Sequence, residues 1–408
     1  MNDGMRAGAS VTGLGATTPL GGDVPSTWAG LLEGRSGIVA LEEDWAFDLP
    51  VRMGGRMRTD PVEVLGRVRA RRLDRCAQAA LVAAREAWAD AGAPEVEPER
   101  LAVVVGTGVG GVLTTLEQDD LLESAGARKV SPYTVPMLMP NGPAAEISIE
   151  FGARGGAYTP VSACASGAEA IAMGLDLIRF GRADVVIAGG AEACLHPLTL
   201  AGFAQARALS RSDGAPEEAS RPFDRGRDGF VLSEGAAMVI LERAEFAAAR
   251  GAGAYATLAG AGTTSDAYHI TAGSSEGQAR AIRLALDSAG LSGRDVQHVS
   301  AHATSTPPGD VTEAASISRA VGTHAAVTAI KSMTGHLCGA SGALGAVATA
   351  LTLRDGIIPA TRNLDDPDPE IALDIVTGRP RRARPSVALL NSFGFGGHNT
   401  ALVLTAAS

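Results

Sequence analysis

Short apolar runs alternate along this chain with stretches whose apolar residues recur at helical spacing, and the whole alternation occurs twice. In the first half, Leu101-Ala-Val-Val-Val and Asp184-Val-Val-Ile-Ala-Gly-Gly read as buried strands, and Met238-Val-Ile-Leu-Glu closes the series. From about Ala254 the rhythm repeats. A strand-like stretch leads to a helix over Gly277–Gly290, then His298-Val-Ser-Ala-His, a helix from about Thr312, Val327-Thr-Ala-Ile-Lys, an Ala/Gly-rich helix and two closing strands. Such alternation specifies the α/β class. No low-complexity linker separates the repeats, so the expected organisation is two fused halves, 1–253 and 254–408, sharing one core. Near the start, a strand from Ala9 precedes a helix over Ser26–Gly34 with Ser26 as its expected cap. Residues 35–66 read as loop with short strands, and Ser131–Ala145 as a Pro- and Met-rich loop of the kind found at a pocket or subunit boundary.

Composition excludes several function classes. A net charge of −10 over 408 residues argues against nucleic-acid binding, and no long Lys/Arg run suggests a membrane surface. The weakly polar stretches Leu101–Leu116 and Leu337–Leu353 are too rich in small residues to span a bilayer. The four cysteines, at 76, 164, 194 and 338, form no CxxC pair, and with no secretory signal they point to a reducing cytoplasm. Gly106-Thr-Gly-Val-Gly-Gly matches GxGxxG, but no second strand ending in an acid follows at the right distance, and no GK[ST] follows either. It reads as a glycine turn lining a cavity. No metal-ligand spacing stands out.

One cysteine sits where chemistry is feasible. In Thr159–Gly181 a short β-prone piece reaches Cys164, and an amphipathic helix with Ala168, Ile171, Leu175 and Ile178 on one face starts at once. A helix N-terminus offers free N–H groups and partial positive charge, which stabilise a thiolate and later an oxyanion. Alone, such a cysteine is more often a buried structural residue. Three strand-to-loop edges of the second half add polar and glycine residues: Ala301-His-Ala-Thr-Ser-Thr-Pro-Pro-Gly-Asp, Ile330-Lys-Ser-Met-Thr-Gly-His and Asn391-Ser-Phe-Gly-Phe-Gly-Gly-His-Asn. Strand ends of this kind build active sites in α/β sheets.

Together with VSACASGAEA around Cys164, these stretches resemble the β-ketoacyl-ACP synthases, condensing enzymes of the thiolase superfamily. SRPFDRGRDGF and TSDAYH fall in the family order between them, so the resemblance covers nearly the whole chain. It implies a thiolase-like fold, five-layered αβαβα made of two similar halves, dimeric, with the site between the halves. It further implies that Cys164 takes an acyl chain from an acyl carrier protein (ACP) as a thioester. His302 and His336 then hold the thioester carbonyl of malonyl-ACP and stabilise the enolate left by decarboxylation, while the backbone N–H groups of Cys164 and Phe395 form the oxyanion hole. Lys331, paired with Glu313, sets local electrostatics. Thr304 and Thr306 match contacts to the phosphopantetheine arm, which the carrier protein brings, so the enzyme itself needs no bound cofactor. Phe395 among its glycines and Asp266 in a second loop match a gate over the cysteine. An acidic carrier protein also gives a purpose to Arg67, Arg69, Arg71, Arg72, Arg128, Lys129 and Arg207, candidates for a positive docking rim.

Departures from the family pattern are small: Ala303 stands in HATST for a glycine, and His398 in GFGGHN for a threonine. Cys338 is assigned to packing. A thiolase proper would carry a second cysteine in the final glycine-rich loop, and residues 391–399 have none. The paired histidines speak against an initiation-type synthase, and Cys164 against a non-catalytic chain-length factor. Two settings fit the motifs. One is a homodimer elongating fatty acids, and the other is the catalytic half of a polyketide heterodimer with a chain-length-factor-like homologue. Val109 and the loop around Thr134 and Met137 are candidates for the floor of the acyl pocket.

Overall fold

The computed structural model describes residues 7–407. Eleven strands form its main sheet: β1 Ala9–Thr17, β2 Leu101–Gly106, β3 Ala157–Tyr158, β4 Val185–Glu192, β5 Gly235–Arg243, β6 Ala256–Ser265, β7 His298–Ser300, β8 Ala326–Thr328, β9 Asp374–Ile375, β10 Val387–Gly394 and β11 His398–Ala406. Their spatial order is β9-β8-β7-β10-β11-β6-β1-β5-β4-β2-β3. The order contains the same motif twice. In β1-β5-β4-β2-β3 the first two pairings are antiparallel and the next two parallel, and β6-β11-β10-β7-β8 repeats that pattern strand for strand. The two halves meet through antiparallel pairing of β1 with β6, Ser10 opposite Thr257.

Six of the helices cover the faces of the sheet: α1 Arg75–Asp90, α2 Gly142–Phe151, α3 Ser166–Arg179, α4 Ser275–Ala289, α5 Pro307–Ala320 and α6 Ser341–Asp355. Side-chain alternation along the strands sorts them into layers. Val103, Val105, Val185 and Ile187 pack on Ala-rich α1 on one face, whereas Ala102, Val104, Val186 and Ala188 pack with α3 and α6 on the other. Leu390, Leu402 and Leu404 reach the same α3/α6 core from the second half, and Leu389, Ala401 and Val403 face α4 and α5. The result is α1/α2, sheet, α3/α6, sheet, α4/α5, the expected five layers. The small residues of α6 have a physical reason, since a helix between two sheets is buried all round and must let both approach.

Local readings differ in places. The first helix runs Val24–Glu33 and is capped by Asp23, whose carboxylate accepts from the Ser26 N–H at 2.8 Å; Pro25 in its first turn moves the start upstream of Ser26. Proline likewise opens α5 at Pro307, ahead of the expected Thr312. The stretch expected as loop at 131–145 is largely helical, with Thr134–Leu138 and then α2. Residues 35–66 hold a two-residue hairpin, a 3₁₀ turn and a short helix from Pro61. No helix among the described residues is long and apolar enough to cross a membrane.

Candidate active site

Cys164 occupies a sharp turn. After β3 the chain reaches Ala163, whose φ of 51° is left-handed, then a 3₁₀ turn at Ala163–Ala165 that runs straight into α3. Ser166 ties the turn down: its hydroxyl accepts from Ser162 N–H at 2.9 Å and lies 2.7 Å from Ala163 O. No side chain caps α3; the turn's own backbone does so, with Ala165 N–H donating to Ser162 O at 3.1 Å and Ser166 N–H to Ala163 O. From the opposite half, β10 delivers Ser392, whose hydroxyl donates to Cys164 O at 3.0 Å, and Gly394, where a Cβ would come within 2.5 Å of Ser162 O. Only glycine lets that strand approach so closely.

Backbone N–H groups of Cys164 itself and of Phe395 are directed at the sulfur. The sequence expectation placed these two donors together, and the structure does so. The help expected from a helix start is outweighed at the sulfur. Burial pushes the Cys164 thiol up to about 11; the Lys331 ammonium and the two N–H groups oppose this, and the buried Glu192 adds to it. Alkylation of Cys164 by iodoacetamide is expected to accelerate about tenfold per pH unit from pH 7 to 10, because only the thiolate reacts. Lys331→Ala is expected to move the profile further alkaline. A plateau near pH 8.5 would overturn both statements.

His302, in the loop after β7, lies with Lys331, the first residue of the short helix Lys331–Thr334, and His336, two residues beyond its end. The His302 and His336 rings meet edge to face at 5.6 Å. Lys331 donates to His302 O, and its Nζ is 3.5 Å from His302 Nδ1. An ammonium only donates, so Nδ1 of His302 is held as the acceptor and Nε2 carries the proton. His336 has Nδ1 2.9 Å from the Ser341 hydroxyl, while its buried Nε2 has no hydrogen-bond partner. Burial, with Lys331 nearby, holds both imidazoles well below their usual pKa, so they are neutral. Burial also lowers Lys331 to about 8, opposed by the charge of Glu313.

That charge acts without contact. The expected Lys331–Glu313 ion pair is absent among the described residues. Glu313 instead accepts from the His302 and Ala303 N–H groups at 2.7 and 2.6 Å and from the Asn391 side chain at 3.1 Å. Two unpaired amides at the head of a buried loop are a better match for a carboxylate than an ammonium already bonded to a carbonyl. Glu313 thereby fixes the backbone that carries His302.

Thr304 and Thr306 are half-buried with their hydroxyls 3.0 Å apart, on either side of Ser305, whose φ is 71°. Below them lies a brace that sequence reasoning quoted as SRPFDRGRDGF without giving it a task. Arg227, buried, reaches Thr306 O at 3.3 Å, Pro307 O at 2.8 Å and Asp368 at 2.7 Å, and lies 3.5 Å from Asp310. Asp310 accepts from Phe223 N–H at 2.9 Å and Ser305 N–H at 3.2 Å. Glu192, fully buried at the end of β4, was also missed. It accepts from Thr107, Gly108, Val109 and Gly339, clamping the glycine turn after β2 to the turn that precedes α6. The GxGxxG match is thus a turn gripped by a carboxylate beside the cysteine.

Phe395 is 38% exposed and followed by Gly396 and Gly397 at φ 87° and 73°. Asp266 joins that loop to its own: its N–H donates to Gly397 O at 2.9 Å, and its carboxylate accepts from Asn399 at 2.7 Å and Ser274 N–H at 2.9 Å. Of the seven basic candidates, Arg67, Arg71, Arg72, Arg128, Lys129 and Arg207 are exposed and Arg69 is half-buried. Arg69 is engaged by Glu146 and Glu150, and Arg72 stacks over Tyr133 at 5.3 Å.

Residues 9–247 match the model for the β-ketoacyl synthase N-terminal domain and 255–365 that for its C-terminal domain. The chain belongs to the β-ketoacyl synthase family. It is 45% identical to "3-oxoacyl-[acyl-carrier-protein] synthase 2" of Mycobacterium tuberculosis, over 96% of this chain and 95% of that protein. The protein of the same description from Synechocystis is 44% identical over 96% of both chains. Among solved structures, a β-ketoacyl synthase from Burkholderia phymatum is similar with a TM-score of 0.92 and 33% identity, covering 98% of this chain and all of that one. A type II PKS acyl-carrier protein in complex with its ketosynthase bound to the hexaketide matches with a TM-score of 0.91 and 30% identity, over 99% of this chain and 100% of that one. As a member of the β-ketoacyl synthase family the chain is an acyl-transferring condensing enzyme.

Proposed function

We propose that this enzyme joins an acyl chain held on Cys164 to the two-carbon unit of malonyl-ACP, as the elongation step of type II fatty-acid synthesis. The observation that carries the reading is a pair of buried imidazoles in edge-to-face contact, His302 with Nδ1 3.5 Å from the Lys331 ammonium and His336 with Nδ1 2.9 Å from the Ser341 hydroxyl and Nε2 buried without a partner. The thiol attacks the thioester of acyl-ACP, and the N–H groups of Cys164 and Phe395 hold the resulting oxyanion until the pantetheine thiol departs. Malonyl-ACP then enters with its thioester oxygen between the Nε2–H groups of His302 and His336. Breaking the bond to its carboxylate releases CO₂ and leaves the electron pair as an enolate, which those two donors stabilise. The enolate carbon attacks the Cys164 thioester, the C–S bond breaks, and β-ketoacyl-ACP leaves. Thr304 and Thr306 suit the pantetheine amides. Phe395, on glycine hinges tied to Asp266, suits a ring that moves aside for each acyl chain.

The carrier protein docks, in this reading, on the exposed Arg67, Arg71, Arg128, Lys129 and Arg207. A surface depression lined by Leu65, Gly66, Val68 and three arginines supports it. A second copy covers β3, an exposed sheet edge flanked by the exposed side chains of Val109, Tyr133, Val135, Met139, Ile149 and Val161. Four free cysteines suit a reducing cytoplasm.

A second reading, catalytic partner of a chain-length factor, is favoured by the likeness to the ishigamide ketosynthase/chain length factor at 33% identity. The relatives at 42–45% identity favour fatty-acid elongation. Purifying the chain alone, measuring its mass in solution and assaying it with acyl-ACPs of varied length separates the two. The expected result is an active dimer of twice 41.3 kDa. An inactive chain rescued by a homologous partner would favour the second reading.

A further inference from the structure

We infer that Ser341 is a positioning residue that selects the tautomer of His336 by donating its hydroxyl proton to Nδ1. The inference rests on the role proposed above for His336. The ring of His336 has little freedom. The backbone N–H of His336 donates to Val231 O at 2.7 Å and its backbone carbonyl accepts from Ser233 N–H at 2.9 Å, while Phe230 packs edge-on against the ring at 5.2 Å and His302 closes another side at 5.6 Å. What remains to be set is which nitrogen carries the proton.

A serine hydroxyl can donate or accept, so the contact alone leaves the direction open. Two features decide it. Ser341 is 6% exposed, and its hydroxyl has no second partner among the described residues. Were it to accept from Nδ1–H, its own proton would be buried without an acceptor, at the usual cost of an unmade hydrogen bond. Second, Ser341 is the first residue of α6, and the positive end of that helix favours a lone pair over an N–H on the side of the ring that faces it. The state in which Ser341 donates leaves one unmatched group, Nε2–H, and that is the atom without a protein partner. The two histidines thus reach one protonation pattern by different means. A lysine ammonium imposes it on His302 and a serine hydroxyl on His336.

The test uses the full-length enzyme in a Cys164→Gln background, where release of CO₂ from malonyl-ACP reports the histidine pair alone. Ser341→Ala is expected to slow that release about ten- to a hundredfold, the size of effect common for outer hydrogen-bond partners of functional histidines. Ser341→Thr, which keeps the hydroxyl, is expected to restore most of it. With Cys164 intact, acylation by acyl-ACP is expected at an unchanged rate in Ser341→Ala, since that step does not use Nε2–H of His336. The ¹⁵N shifts of histidine-labelled protein supply the direct readout: Nδ1 of His336 unprotonated in the parent, mixed tautomers in Ser341→Ala. Native CO₂ release together with an unchanged tautomer in Ser341→Ala would overturn the inference. A His336→Ala control keeps the two levels apart. If it loses CO₂ release while Ser341→Ala does not, Ser341 alone is misassigned; if it retains CO₂ release, the role of His336 fails and this inference with it.

Discussion

Cys164→Ala is expected to eliminate acyl-enzyme formation and condensation altogether while leaving the fold intact. The substitution removes one atom from a turn whose geometry is fixed by other groups. The left-handed residue is Ala163, the bonds that hold the turn come from Ser166 and Ser392, and α3 is anchored by Ala168, Ile171, Leu175 and Ile178 in the central core. Thermal stability should therefore change by no more than about 2–4 °C, an upper bound for a chain of this size on a loss of roughly 1 kcal/mol. Nothing nearby can replace the sulfur. Cys76 and Cys194 are each 1% exposed within apolar clusters, and burial and the Cys194 contact hold the Cys338 thiol well above its normal range. Intact-mass spectrometry after incubation with acyl-ACP should show the parent gaining one acyl group and the variant none. An acylated variant would move the nucleophile elsewhere and undo the site as drawn.

How much of this was visible in the sequence depends on the distance over which each feature is encoded. The helix after Cys164 was legible because its apolar period, Arg179 and Gly181 lie within one local stretch, and α3 ends at Arg179 with Gly181 at φ 67°. The duplicated rhythm was legible for the same reason: β2, β4, β5 and β10 are continuous apolar runs. Strand β3, two residues long and half exposed, has no such signal, since it exists only by pairing with β2. At the site, residue types announced the chemistry but not the partners. Glu313 was expected on Lys331, yet it serves two backbone amides, whose need for acceptors depends on a loop conformation that no spacing reveals. Glu192 lies 147 residues from Gly339, and Arg227 lies 141 from Asp368. Such pairings are products of the fold. A signal was available for Glu192 all the same: an acid ending a run as apolar as Val185–Ala191 must be fully satisfied in the interior, which marks it as a clamp.

Cys164→Gln is expected to do the opposite of Cys164→Ala, abolishing condensation but preserving, or raising, release of CO₂ from malonyl-ACP. The glutamine side chain places an amide oxygen where the thioester oxygen of the acyl-enzyme would lie, against the N–H groups of Cys164 and Phe395. The site then behaves as if loaded, but has no bond for the enolate to break, so decarboxylation runs without its second half. Adding His302→Ala or His336→Ala to that variant should cut CO₂ release by about 10²–10³, the cost of removing one preorganised donor from a developing oxyanion. The two losses should not simply multiply, because both donors address one oxygen and their rings are in contact at 5.6 Å. The pH profile supplies the sign. Both imidazoles lie well below their usual pKa, so acidification from pH 7 to 6 leaves them neutral, and the CO₂ rate should stay level across that interval. A fall with an apparent pKa near 6.5 would mean that a solvated histidine, rather than this buried pair, holds the enolate.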